Sequence, residues 1–339
     1  MTTRVAEKQP VGSSTDRTLA LKRWNAFGSI VEAVINPALK RYADYLEKDY
    51  LPFARTEIGV SALPNGLACY QAKVKKETTL EMTPKEIYEY GLQHMEELKK
   101  EVAAIGLKEL GIEEMSEVFQ QAKNRSEYLF QSEEAILKYN FAALDKAKAK
   151  LSAWFHTIPQ LECTIKPYPE YQAKTGAPGE YNPPSEDGSQ PGVFYINTYA
   201  PNKKSRVDQE ATVFHELLPG HHFQVAIAYE NKSHHSLDKY LWNAGYGEGW
   251  ALYVERLADE MGLYTDEVSR LGMLSNEALR TARLVVDPGM HVMNWTRDQA
   301  VTYLKQHTAL SDDIIEGEVD RYSMMPGQAT AYTQDASKC

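Results

Sequence analysis

Cysteine is nearly absent. Cys69, Cys163 and Cys339 are odd in number and far apart in a chain of 339 residues, so neither a disulfide framework nor a CxxC zinc knuckle is written here, and reduced thiols in a cytoplasmic protein are expected. Long apolar runs are missing too. No stretch reaches the ~18 residues that a membrane span needs, and the polar N-terminus lacks the apolar segment of a secretory leader, so neither membrane insertion nor secretion is expected. There is no Lys/Arg run either: 37 basic residues against 47 acidic ones leave a net charge of −10, which argues solubility and excludes a nucleic-acid partner. No internal repeat is apparent.

What remains is the composition of an ordinary globular protein with enough apolar residues for a sizeable core. Residues 1–16 read as a disordered tail, and 17–339 as one helical domain whose two lobes, 17–160 and 161–339, share a cleft. From Leu19 the apolar residues Trp24, Phe27, Ile30, Val31, Val34 and Ile35 recur at helical spacing. Pro37 should interrupt that helix, which resumes over Ala38–Tyr50 and stops at Pro52. Tyr70–Val74 reads as a short strand. Thr83-Pro84-Lys85-Glu86 is a capping box that opens a helix to about Gly106, and a second long helix is expected over Ser126–Phe155.

Between Leu161 and Pro201 the texture changes to Pro, Gly, Tyr and Ser, in a loop long enough to suggest a use. It leads to Gly192–Thr198, the best strand candidate, where an exposed edge would let an extended peptide add a strand. Later helices are expected over Tyr246–Met261, Asp266–Ala282, Trp295–His307 and Asp312–Tyr322. The fold class is therefore mostly α with a minor β-sheet. His234 and His235 lie in a polar loop and read as solvated.

The chemistry concentrates in His215-Glu216-Leu217-Leu218-Pro219-Gly220-His221-His222. A His-Glu pair on a helix with a second His at i+4 offers two imidazoles to zinc and a carboxylate to water. Here i+4 is Pro219, which binds no metal and would clash with the carbonyl of His215 in an unbroken helix. On such a helix His221 would sit about 120° round from His215, and His222 nearly in line but ~10.5 Å up the axis. A two-residue bulge at Pro219-Gly220 would return His221 to the ligand position, so His215 and His221 are the preferred ligands, with His222 the alternative. Glu248, opening the next helix, would be the third ligand and leave the fourth position to water. Glu216 would then be the general base of a zinc-dependent hydrolase, with zinc-bound water as nucleophile. Glu255 falls on the same face as Glu248 and could accept the outer N–H of a ligand imidazole.

A series of blocks extends the motif: the segment His215–Gln224, then Gly247–Glu255, Arg283–Asp287, Trp295–Ala300, Glu318–Tyr322 and Pro326–Ala329, preceded by Tyr181–Pro184 and Phe194–Thr198. Together they resemble a domain-of-unknown-function family marked by HExxPGHH, itself similar to the gluzincin metallopeptidases, over about Tyr42 to Tyr332. The resemblance implies a helical, gluzincin-like metallopeptidase cleft fold with Zn2+ on His215, His221 and Glu248, and Glu216 as base. It also implies Arg321 and Tyr322, on a late helix, as holders of substrate and oxyanion, with Asp287 and His291 as further cleft residues. Members of that family are commonly longer on the N-terminal side. A shortened cleft would admit a different substrate, complete its walls as a homo-oligomer, or have turned to other zinc chemistry.

The expectation is thus a cytoplasmic zinc metallohydrolase that cuts an amide or peptide bond in a small substrate, as a dipeptidase or carboxypeptidase does. Its alternatives are a zinc enzyme with non-peptide or non-hydrolytic chemistry in a small-molecule pathway, and a non-catalytic pseudoenzyme.

Overall fold

The computed structural model describes residues 14–174, 177–233, 235–239 and 241–332; the expected tail falls almost wholly outside them. The chain forms two units, Met1–Glu57 and Ile58–Cys339, so the lobe boundary expected near residue 160 lies inside the second unit.

In the first unit, α1 (Ser14–Ile30) and α2 (Asn36–Tyr45) are joined by a π-helical turn over Val31–Ile35, and a second such turn follows over Leu46–Tyr50. Pro37 therefore does not break the helix. A wider turn immediately before a proline gives its ring room against the carbonyl it would otherwise strike. Pro52 does end the run, within the short turn Leu51–Phe53.

The second unit opens with α3 (Gly66–Thr78), which replaces the strand expected at Tyr70–Val74. Tyr70 and Val74 lie one helical turn apart and are both fully buried while Ala72 is exposed, so the two mark a helical face rather than an alternating strand. The capping box that starts α4 (Pro84–Glu109) is fully formed: Glu86 N donates to Thr83 Oγ1 at 3.2 Å and Thr83 N donates to Glu86 Oε2 at 2.7 Å. After α5 (Met115–Asn124), a short turn over Ser126–Tyr128 precedes α6 (Glu133–Trp154), which Ser132 caps seven residues later than the expected helix start. A short α7 (Glu170–Ala173) lies between the first two strands, and beyond the sheet region come α8 (Gln209–Glu216), α9 (His221–Glu230), α10 (Ala244–Glu260), α11 (Glu267–His291), α12 (Arg297–His307) and α13 (Asp312–Met324). Among the described residues, no helix is long and apolar enough to cross a membrane.

The core rests on α4 against α11. Met95, Leu98, Val102 and Ile105 of α4 pack in one cluster with Leu271, Leu274, Ala278 and Ala282 of α11. Each such large side chain contributes roughly 1.5–3 kcal/mol by burial. The helix α11 runs past the expected Ala282 because Leu284, Val285 and Val286 continue its buried surface, with Pro288 inside its last turn.

Three strands, β1 (Cys163–Pro167), β2 (Gly179–Asn182) and β3 (Gly192–Ile196), form one mixed sheet in the order β1-β3-β2. β3 runs parallel to β1 and antiparallel to β2. The expected substrate-pairing strand is therefore the central one, with both of its sides already paired, and β1 and β2 are the edges instead. Ile165, Phe194 and Ile196 of the sheet share a second core cluster with Leu144 of α6, Phe214 of α8, Phe223 of α9 and Val254 of α10. That packing seats the histidine helices between the sheet and α10.

Candidate metal centre

Helix α8 ends at the motif. His215 and Glu216 are its last two residues, and Leu217, with φ −113° and ψ −93°, leaves helical geometry. The Leu218–Pro219 peptide bond is cis, and α9 begins afresh at His221. The predicted bulge within one helix is thus a full break between two helices. Gly220 makes the break possible: a Cβ there would lie 1.8 Å from the carbonyl oxygen of His215, so only glycine admits so close an approach. From α10, the Trp250 Nε1 donates to the Pro219 carbonyl at 2.9 Å and ties the connecting loop to the third element of the site.

The turn brings the His215 and His221 rings edge to face, their centroids 4.8 Å apart. Asn243 caps α10, accepting from Tyr246 N at 2.9 Å, and the helix presents Glu248 within its second turn. Glu248 Oε2 is 3.7 Å from His215 Nε2 and 3.7 Å from His221 Nε2. One ligand atom from each of these three residues lies within 4.8 Å of the others. Ligands on a single tetrahedral zinc, with bonds near 2.0–2.2 Å, sit about 3.3–3.6 Å apart, so the spacing is close to what one ion requires.

The surroundings set the charge of each ring. His215 Nδ1 is 2.8 Å from Glu255 Oε1, deep in the protein, and Asn276 Nδ2 donates to the other oxygen of Glu255 at 3.1 Å. Glu255 thereby holds the proton on Nδ1 and leaves the Nε2 lone pair to the site, as a carboxylate behind a ligand imidazole does. Burial works against a charge on His215, but hydrogen bonding to Glu248 and Glu255 outweighs it and raises the ring to about 9, so without a metal Nε2 also carries a proton, which a metal would displace. Burial and the neighbouring His215 push His221 down to about 3, so that ring is neutral and able to bind metal. His221 Nδ1 is buried with no hydrogen-bond partner, so only the site itself selects its tautomer. Burial would raise Glu248, yet the two imidazoles bring it below the ordinary carboxylate range. The donor set of two imidazoles and one carboxylate fits zinc.

His222 is otherwise engaged. Its Nε2 donates to the Leu161 carbonyl at 2.8 Å and its Nδ1 accepts from Tyr181 Oη at 3.0 Å. With both nitrogens used and the ring buried, His222 fastens the start of α9 to the sheet. A Cβ on Gly192, the first residue of β3, would lie 2.5 Å from that Nδ1, so glycine lets the strand pass directly over the ring. His235 is exposed and accepts from Leu237 N at 3.2 Å, while His234 lies outside the described residues. Cys163 is buried, which pushes its thiol up to about 11; Cys69 is exposed, and Cys339 lies outside the described residues.

Beside the cluster is a cavity of about 590 Å³ lined by His215, Glu216, His221 and Glu248 together with Tyr181, Trp242, Arg280 and Arg283. Burial raises the Glu216 carboxyl, and the charge of Glu248 raises it further, against the opposing pull of His215 and Arg280. Arg321 and Tyr322 are not among the lining residues. Tyr322 is buried, and its Oη donates to Glu318 Oε2 at 2.6 Å while accepting from Arg283 Nε at 3.0 Å. Arg321 bonds Glu318 and Gln328. Asp287 and His291 lie in a separate buried group: Tyr70 Oη and Gly327 N donate to Asp287 Oδ1 at 2.6 and 2.9 Å, and Val60 N donates to His291 Nδ1 at 3.1 Å. The arginines among the cavity's lining residues, Arg280 and Arg283, belong to α11. The missed signal was two arginines one turn apart on a helix whose neighbouring residues Ala278, Ala282, Leu284 and Val285 are buried.

Among solved structures, the chain is similar to a protein of Colwellia psychrerythraea described as a candidate lipoprotein, with 28% identity and a TM-score of 0.86, covering 94% of this chain and 55% of that one. A candidate lipoprotein of Shewanella oneidensis, described as of unknown function, shares the fold at 18% identity and a TM-score of 0.68, over 94% of this chain and 59% of that one. The chain thus spans little more than half the length of these structures. No curated protein matches it. The kinship with gluzincin metallopeptidases that the motif blocks implied is corrected by the family that matches, whose description names no activity: residues 4–334 match the family described as "Bacterial protein of unknown function (DUF885)", and the chain belongs to that family.

Proposed function

We propose that the protein is a zinc-dependent hydrolase of an amide or peptide bond in a small substrate. The observation that carries this reading is the meeting of His215 Nε2, His221 Nε2 and Glu248 Oε2 within 4.8 Å, next to the half-buried Glu216, in one open cavity. Three protein ligands leave one position of a tetrahedral ion for water or substrate. A zinc ion held there would supply Lewis acidity, making a water acidic enough to ionise near neutral pH and polarising a carbonyl.

The chain's own residues do the rest. Glu216 lies at the end of α8 beside both ligand histidines, and its raised proton affinity suits a group that takes a proton from the attacking water and returns it to the leaving amine. Glu255 keeps His215 in the tautomer that presents Nε2. Arg280 places a positive charge close enough to be felt by His215, Glu216, His221 and Glu248 alike, where it would favour negative charge growing on a carbonyl oxygen. Tyr181 and Pro183, at the end of the edge strand β2, line the same cavity, so an extended substrate could lie along that edge. A cavity bordered by β2 and by α8, α9, α10 and α11 is a metallopeptidase-like cleft, sized for a small substrate.

The test is zinc content and hydrolysis in wild type and Glu216→Gln, with a panel of dipeptides and N-acyl amino acids read by mass. Both proteins should hold one zinc per chain, and the variant should lose about 10²–10⁴-fold in rate. Absence of zinc from the loaded protein, or full activity in the variant, sinks the reading. Zinc retained with no amide cut by the wild type would favour non-peptide chemistry at the same site.

A further inference from the structure

The connection between α9 and α10 carries an exposed tryptophan beside the ligand cluster. Trp242 immediately precedes Asn243, the N-cap of α10, and its indole lies across Gly247, the fourth residue of that helix. An apolar residue before an N-cap ordinarily packs on an apolar side chain at that fourth position. Here the position is glycine, and a Cβ on it would come within 2.2 Å of the ring, so the indole rests on the helix backbone itself. Three residues earlier, Lys239 pairs with Glu186 at 3.3 Å and ties the connection to the loop after β2. The indole stands 6.0 Å from the ring of His221, lines the cavity and is still 60% exposed. A ring so held, and so open, has apolar surface left for whatever enters the cavity.

That surface continues along α9. His221, Val225 and Tyr229 follow one another at four-residue intervals, so they share one face of the helix, and all three line the cavity. The stripe starts at His221 and ends about 12 Å farther along the axis, eight residues at ~1.5 Å each. Leu279 of α11 lines the cavity as well. An indole, an aliphatic wall and a second aromatic ring reward an apolar group with area removed from water, and give a small polar substrate no such gain. A phenyl ring on a short chain matches both the length of the stripe and the flat face of Trp242.

We propose that the cavity selects substrates with a large apolar group, an aromatic side chain above all, which lies along Val225 and Tyr229 against Trp242, the residue that sets this preference. This deepens the hydrolase reading and rests on it for the bond that is cut. The test is calorimetric binding of acetohydroxamate and of 3-phenylpropanohydroxamate to the zinc-loaded wild-type protein. The two probes share a head group that binds zinc and differ only in their tails.

The phenyl compound should bind at least about tenfold more tightly than acetohydroxamate, as expected for burial of one aromatic group. Trp242→Ala should lower that ratio at least about threefold while zinc content and the affinity for acetohydroxamate stay as they are, and Trp242→Phe should keep part of it. Tyr229→Ala, at the far end of the stripe, should lower the ratio too, and it serves if loss of Trp242 frays α10. Equal affinities for the two probes, no saturable binding of the phenyl compound, or a ratio that survives both substitutions would each overturn the proposal. So would a Trp242→Ala protein in which both probes weaken alike, since the indole would then only brace the first turn of α10. Zinc content and hydrolysis by the wild type keep the two readings apart. A tail preference in a protein that cuts no amide leaves this subsite and removes the hydrolase, whereas hydrolysis with no tail preference does the reverse.

Discussion

Glu255 Oε1 lies 2.8 Å from His215 Nδ1, and both side chains are almost completely shut off from solvent. A carboxylate there orients the imidazole and raises its basicity toward metal. Glu255→Ala should therefore weaken zinc binding by about 10–100-fold, measured by competition with a chelator. Affinity unchanged in that variant would show that His215 needs no such support.

His221 and His222 differ by one position and should differ entirely in effect. His222→Ala removes the clamp to Leu161 and Tyr181, so it should cost about 1–3 kcal/mol in denaturant unfolding while zinc stays at one per chain. His221→Ala should lose the metal at little cost to the apo fold. The opposite pattern would exchange the roles of the two rings.

Gly220→Ala puts a methyl group into the carbonyl of His215. The loop must shift to accommodate it, so both a stability loss of roughly 1–3 kcal/mol and a marked drop in zinc affinity are expected. A variant that binds zinc as the wild type does would mean that the break between α8 and α9 is less constrained than its packing indicates.

Asp287 predicts a pH dependence. Burial lifts its carboxyl from an ordinary 3.8 to about 7, against hydrogen bonds from Tyr70 and Gly327 that pull it down. Between these values the native protein keeps a proton that the unfolded chain has released, so this group's contribution to stability falls as pH rises from about 4 to about 7 and is level above. Asp287→Asn keeps an oxygen for Tyr70 and Gly327 without the charge. It should flatten that slope and stabilise the protein at pH 8 by on the order of 1–3 kcal/mol in urea melts.

The meeting of His215, His221 and Glu248 could be anticipated from the sequence. Residues able to hold a metal announce themselves by type, and a proline at the usual ligand position forces the chain to bring His221 in by another path. Choosing between His221 and His222 needs the third dimension, because it turns on Leu161 and Tyr181, far away in sequence. The capping box at Thr83 could be read because its partners are three residues apart. Tyr70–Val74 could not be assigned, since a short apolar run serves a helix face or a strand equally well. The place of β3 in the middle of its sheet depends on pairing with strands on both sides, which local pattern does not reveal. Arg321 and Tyr322 were read as direct site residues. They stand one layer behind, where Tyr322 meets Arg283.

His215, Glu216, His221, Glu248 and Glu255 all come from one stretch of chain carried by the consecutive helices α8, α9 and α10, whereas Arg280 and Arg283 belong to the following helix α11. Residues 217–220 and 231–243, which join these helices, are local connections, and closure entropy grows only slowly with length, so these side chains can come together early and largely independently of distant pairings. The residues that face the cavity from α11 and β2 are inherited separately. Drift along α11 and along the edge strand β2 can therefore retune what enters while the chemistry-bearing segment stays as it is, which gives a family with this architecture room to diversify in substrate without rebuilding its centre.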